Sequence, residues 1–87
     1  MEFSVEGVMV QNLWQSDNGR VRFELHGVGN DAGSYKMEGG PEMAKLPEGS
    51  VITMSGRIAG SFWGRERQQS LTLVGTPTVQ VHTVELN

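Results

Sequence analysis

The chain has 87 residues, 37% hydrophobic and 20% charged, with a net charge of −3 and no cysteine. That length gives one domain, residues 1–87, whose thin core buries only ~60% of the surface its unfolded chain exposes and leaves little room for an internal active-site cavity. The composition points to neither a disordered tail nor a membrane protein, since the longest apolar run is Val8-Met9-Val10, so a soluble chain with no membrane partner is expected; disulfides and thiolate metal sites are excluded outright.

The N-terminus has neither the basic start nor the continuous apolar stretch of a signal peptide, so a cytoplasmic setting is the default expectation. From Phe3 the apolar residues alternate as Phe3 and Val5, then resume out of phase as Val8 and Val10, with Gly7 between them. One extra residue explains the shift: a β-bulge at Gly7 keeps both halves facing the core and bends a first strand around a small barrel. Trp14 follows, read first as a core anchor, with an exposed stacking surface as the alternative. Ser16-Asp17-Asn18-Gly19 supplies a tight turn, and its Asn-Gly pair predicts type I′ geometry.

After the turn Val21, Phe23 and Leu25 alternate with Arg20, Arg22, Glu24 and His26, giving a second strand with one apolar and one charged face. In the glycine-rich residues 27–40 only Ser34-Tyr35-Lys36-Met37-Glu38 can pair, which predicts a short third strand. Pro41 to Leu46 reads as a helix of one and a half turns, with Pro near its start, an acid in the first turn, a base in the last, and Pro47 as a stop.

The fourth run alternates Ile52, Met54 and Ile58 against Val51, Thr53, Ser55 and Arg57, and the fifth opens with Leu71 and Leu73. Between them Ser61 to Gln69 is polar except for Phe62 and Trp63, which stand beside Arg65 and Arg67, so this tip is the leading candidate for a binding element. Pro77 interrupts the last strand, and Thr78 to Val84 resumes strand character. The expected fold is therefore all-β: a five-stranded OB-fold-like Greek-key barrel with a short helix between strands 3 and 4.

Glu48-Gly49-Ser50-Val51, Ser55-Gly56-Arg57-Ile58, Trp63, Arg67 and Leu71-Thr72-Leu73 resemble the last two strands of bacterial single-stranded DNA-binding proteins. The front half resembles them more loosely, through Val8 to Asn12 and Gly19 to Leu25. The aromatic and basic segment that the family carries around its third strand is reduced here to Tyr35 and Lys36, the helix is shorter, and the chain ends Val84-Glu85-Leu86-Asn87 without an acidic tail. The resemblance implies a compact phage- or plasmid-like member that binds single strands without recruiting partners through a tail.

OB-folds bind single strands by stacking bases on aromatics and tracking phosphates with basic groups. The expected nucleic-acid-binding residues are Trp14, Arg20, Arg22, Tyr35, Arg57, Phe62, Trp63, Arg65 and Arg67, with stacking the preferred role for Trp63 and packing over the barrel end for Phe62. The expected partner is single-stranded DNA, with RNA as the alternative. A competing reading is a structural or oligomerising barrel whose Phe62-Trp63 tip is a protein contact. Catalysis, a cofactor and a metal site are not expected: His26 and His82 are far apart in sequence, and no paired carboxylates, Ser/His/Asp set or metal-ligand spacing is present. A short third strand leaves a sheet edge, so a homodimer or higher oligomer is expected, with residues 78–84 pairing across a two-fold axis.

Overall fold

The computed structural model describes residues 1–28, 33–63 and 69–82, the side chains of 60–63 and 69 excepted. Five strands run in the order β1 (Glu2–Gln15), β2 (Val21–Gly27), β3 (Ser34–Gly39), β4 (Val51–Trp63) and β5 (Gln69–His82), with a 3-10 helix at Pro41–Lys45 between β3 and β4. They close into a barrel in the order β1-β2-β3-β5-β4, with β4 returning to β1; β3 and β5 run parallel, and the other neighbours are antiparallel. This is the OB-like barrel that the strand order of the sequence led one to expect. Among the described residues no helix is long and apolar enough to cross a membrane.

The core is what the alternation predicts. Val21, Phe23 and Leu25 of β2, Ile52, Met54 and Ile58 of β4 and Leu71 and Leu73 of β5 are all buried, joined by Val8 and Val10 from β1 and Met37 from β3. Met43 of the 3-10 helix is also buried, closing the barrel end where Gly39 leaves no room for a larger side chain: a Cβ there would stand 2.7 Å from Met43 Cγ. The predicted helix is thus present but wound tighter and stops at Lys45, one residue before Leu46.

The Gly7 bulge is present. Between Val5↔Met54 and Val8↔Ile52, β1 advances three residues while β4 retreats two, and Gly7 takes a φ of 63°. No atom lies within 4 Å of where its Cβ would be, so the constraint is the backbone conformation alone. Gly7→Val should therefore destabilise the fold by ~1–3 kcal/mol, the range for a side chain forced into the left-handed region. It should appear as a lower urea midpoint with an unchanged slope; unaltered midpoints would mean that the strand relaxes without strain.

The β1–β2 turn is tight but not type I′. Gly19 alone has positive φ, at 86°, while Asn18 does not. The Gly19 amide donates to the Ser16 carbonyl at 2.9 Å, and the Ser16 amide to the Arg20 carbonyl at 2.8 Å. This is a three-residue loop, a type I turn closed by a left-handed glycine. Asn18 turns its side chain back instead, accepting from the Arg20 amide at 3.0 Å.

Pro77 does not end β5. Between Ser55↔Thr78 and Arg57↔Val74, β5 uses four steps against two on β4, so Gly75-Thr76-Pro77 bulges and the strand resumes beyond it. Gly56 faces this bulge, with Pro77 Cα 3.2 Å from where a Cβ would stand. The missing proline N–H is accommodated by the irregularity rather than by strand termination.

Candidate nucleic-acid interface

The outer faces of β2 and β3 carry opposite charges set against each other. In register, Arg22 faces Glu38 and Glu24 faces Lys36; Lys36 then faces Ser70 and Glu38 faces Thr72 across the parallel seam with β5. Trp14 of β1 extends the first row, paired with Arg22. A groove of about 430 Å³ lies over these rows, with Trp14 and Asn12 at one side, Ser70 and Thr72 at the other, and Phe23 and Met37 beneath.

Trp14 reaches this face because of a second bulge in β1. Between Gln11↔Glu24 and Trp14↔Arg22, β1 again takes three steps against two, and Asn12 sits at a φ of 54°. Asparagine is one of the few residues with a side chain that tolerate this conformation. The phase flips there: Val10 is inside, Leu13 packs against the core, and Trp14 turns outward, 50% exposed. The core-anchor reading of Trp14 is therefore corrected. Two contacts pin the bulge: Asn12 Nδ2 donates to Glu24 Oε2 at 2.9 Å, and the Leu13 amide donates to Glu48 Oε2 at 2.9 Å.

Charge pairing then decides which cations remain for a ligand. Arg20 Nε lies 3.2 Å from Glu38 Oε1, and His26 Nε2 is hydrogen-bonded to Glu24 Oε1 at 2.9 Å; among the described residues these are the close contacts between basic and acidic side chains, and neither takes Arg22 or Lys36. Arg22 rests instead on the indole of Trp14, its guanidinium carbon 5.5 Å from the ring centroid. The pair is a planar aromatic with a cation on it, exposed at the mouth of the groove.

Partial burial pushes the Glu24 carboxyl up, but the hydrogen bonds from Asn12 and His26 and the charges of His26 and Lys36 outweigh it and hold it below its ordinary value of 4.5. With the folded value lower than the unfolded one, the ionised carboxylate stabilises the fold above the unfolded value, and that contribution is lost as pH falls through the folded one. Glu24→Gln should thus lower stability at neutral pH, where the contribution is fully present, and flatten the acid limb below about pH 4.5, so that variant and wild type converge in acid; an identical stability curve would show that the carboxylate is not coupled to folding.

The other expected residues are distributed unequally. Tyr35 is half-buried against the core on the side of Leu25, with which it pairs, so the outward residue of β3 beside it is Lys36. Lys36 was not among the expected site residues; its alternation with Tyr35 and Met37 was the signal that pointed to it. Arg57 is exposed on a different face, over a concavity it shares with Glu2 and Phe3, and is not brought to the groove. Phe62 and Trp63 belong to β4, paired in register with Ser70 and Gln69, so the strand end that carries them adjoins the Ser70 side of the groove. Their side chains, and Arg65 and Arg67, lie outside the described residues. Among the described residues no three potential ligands gather to hold a metal ion.

Compared with known proteins, the chain matches no family model, no curated protein and no solved structure.

Proposed function

We infer that this barrel binds single-stranded nucleic acid, DNA in the first instance, along the groove over β1, β2, β3 and β5. The reading is carried by one observation: Trp14 is half-exposed at the groove mouth with the Arg22 guanidinium over its ring. A tryptophan held outward by a bulge offers a stacking surface to any base, and the adjacent cation meets the phosphate that follows it. Lys36, in the middle of the groove, is a second cation facing the ligand path. The remaining lining is weakly selective: hydroxyls of Ser70 and Thr72, and carboxylates already engaged by Arg20 and His26. Binding that follows from stacking and phosphate contact is largely independent of sequence. Under the same proposal Phe62, Trp63, Arg65 and Arg67, in and after the end of β4 in the sequence, are further contacts for the strand.

The test is the salt dependence of binding to a fluorescently labelled single strand. Arg22→Ala and Lys36→Ala should each weaken binding by a similar factor for every sequence and lower the slope of log K against log salt by ~0.7, the value of one phosphate contact on a single strand. A slope unaffected by the double variant would take the phosphates away from this groove.

A further inference from the structure

β5 outruns β3. The parallel seam covers Gln69–Thr72 of β5, and from Leu73 to His82 that strand is bonded to β4 on one side, with no second strand on the other among the described residues. The first part of this free edge is guarded by the Gly75-Thr76-Pro77 bulge and by the helix, whose Glu42 carboxylate lies 3.4 Å from the Thr76 hydroxyl. Beyond Pro77 the ladder with β4 is regular, Thr78↔Ser55 through His82↔Val51. Edges of stable barrels are normally blunted by lysine, by proline or by a bulge. Thr78-Val79-Gln80-Val81-His82 has none of these, and Val81 is 47% exposed although its ladder partner Ile52 is fully buried.

We propose that Thr78–His82 pairs antiparallel with the same segment of a second copy of this chain, joining two barrels edge to edge about a two-fold axis. The edge itself argues for that occupant. Identical antiparallel strands bring each residue against its own neighbours, so a lysine or glutamate here would meet its like; the segment carries no residue of fixed charge. A foreign strand would be selected by complementary charge, which this edge does not offer. With the axis at Gln80, Val81 of one copy faces Val79 of the other and loses its exposure. The contact lies six residues along β5 from Thr72, roughly 20 Å at ~3.3 Å per residue, so the groove of each copy stays open. The inference is independent of the nucleic-acid reading.

Sedimentation equilibrium of the full chain decides it. The expected mass at high concentration is twice the chain's 9.5 kDa, falling on dilution. T78K/Q80K and T78E/Q80E should each weaken self-association by at least about tenfold through like charges set across the axis, and mixing the two variants should restore a dimer. A wild-type monomer at every concentration overturns the proposal. So does a dimer that either variant leaves intact, or variants that fail to associate when mixed. Should the variants not fold by circular dichroism, amide exchange of the wild type decides instead: protection at Thr78–His82 that rises with concentration supports the pairing, and protection that does not change overturns it.

Discussion

Trp14→Ala is expected to weaken single-strand binding by ~1–3 kcal/mol, or about 5- to 150-fold, and to leave the melting temperature almost unchanged. The affinity loss follows from removing one base-aromatic stack. The unaltered stability follows from position: Trp14 is half-exposed, outside the buried cluster, and the guanidinium over its ring belongs to the exposed Arg22. The chain has two tryptophans, so Trp63→Phe isolates the emission of Trp14. In that background an oligonucleotide should quench the remaining fluorescence. Full affinity in Trp14→Ala, with quenching confined to Trp63, would move the site to the β4–β5 end. Absence of binding by the wild type at low salt, to DNA and RNA alike, would end the nucleic-acid proposal.

Phe23→Ala should do the opposite. Phe23 stands next to Arg22 in the chain but faces inward, 2% exposed in the central cluster. Truncating a buried aromatic loses its transfer energy and leaves a cavity, together ~3–5 kcal/mol. A domain of this size has roughly 5–15 kcal/mol in total, and each kcal/mol moves its melting point by ~4–8 °C, so the variant should melt at least about 12 °C early. Phe23 also lies beneath the groove, so binding should fall as the fold fails, and in parallel with it. Phe23→Leu, which keeps most of the volume, should recover most of both. A Phe23→Ala protein as stable as the wild type would mean that the barrel interior collapses around the vacancy.

The contrast between these neighbouring aromatics shows what was legible in the sequence. Strict alternation along β2 placed Phe23 inside and Arg22 outside, because each step along a strand reverses the face. The Gly7 bulge was equally readable, since glycine and a phase shift coincide there. The Asn12 bulge was not: it is carried by a residue common in ordinary turns and strands' ends, and the apolar Leu13 and Trp14 that flank the flip fit either phase. One unrecognised bulge therefore reversed Trp14. Tyr35 shows the converse limit, for an aromatic in a candidate binding strand says nothing about its face until the register with Leu25 is known. The turn at Ser16–Gly19 was placed correctly, but its type depended on whether one or two residues take positive φ, and Asn-Gly permits both. For Arg57 alternation gave the outward face of β4 correctly, but not which side of the barrel that stretch of the strand occupies, because that depends on how β4 wraps around it.

The parallel seam between β3 and β5 is short, running from Tyr35↔Gln69 to Glu38↔Thr72, yet the barrel cannot close without it. The β1–β2–β3 meander and the β4–β5 hairpin each form from segments adjacent in sequence, whereas this seam and the β1–β4 ladder join distant ones and must offset the entropy of closing long loops. Opening events that fall short of global unfolding begin where the fewest ladder bonds are broken. That place is the middle of the groove, where Lys36 stands on one bank and Ser70 on the other. Under the proposed function, a nucleic-acid strand lying across both banks would act as a clasp: it would hold shut the joint at which the closed sheet most readily comes apart, and make the fold more cooperative when the groove is occupied.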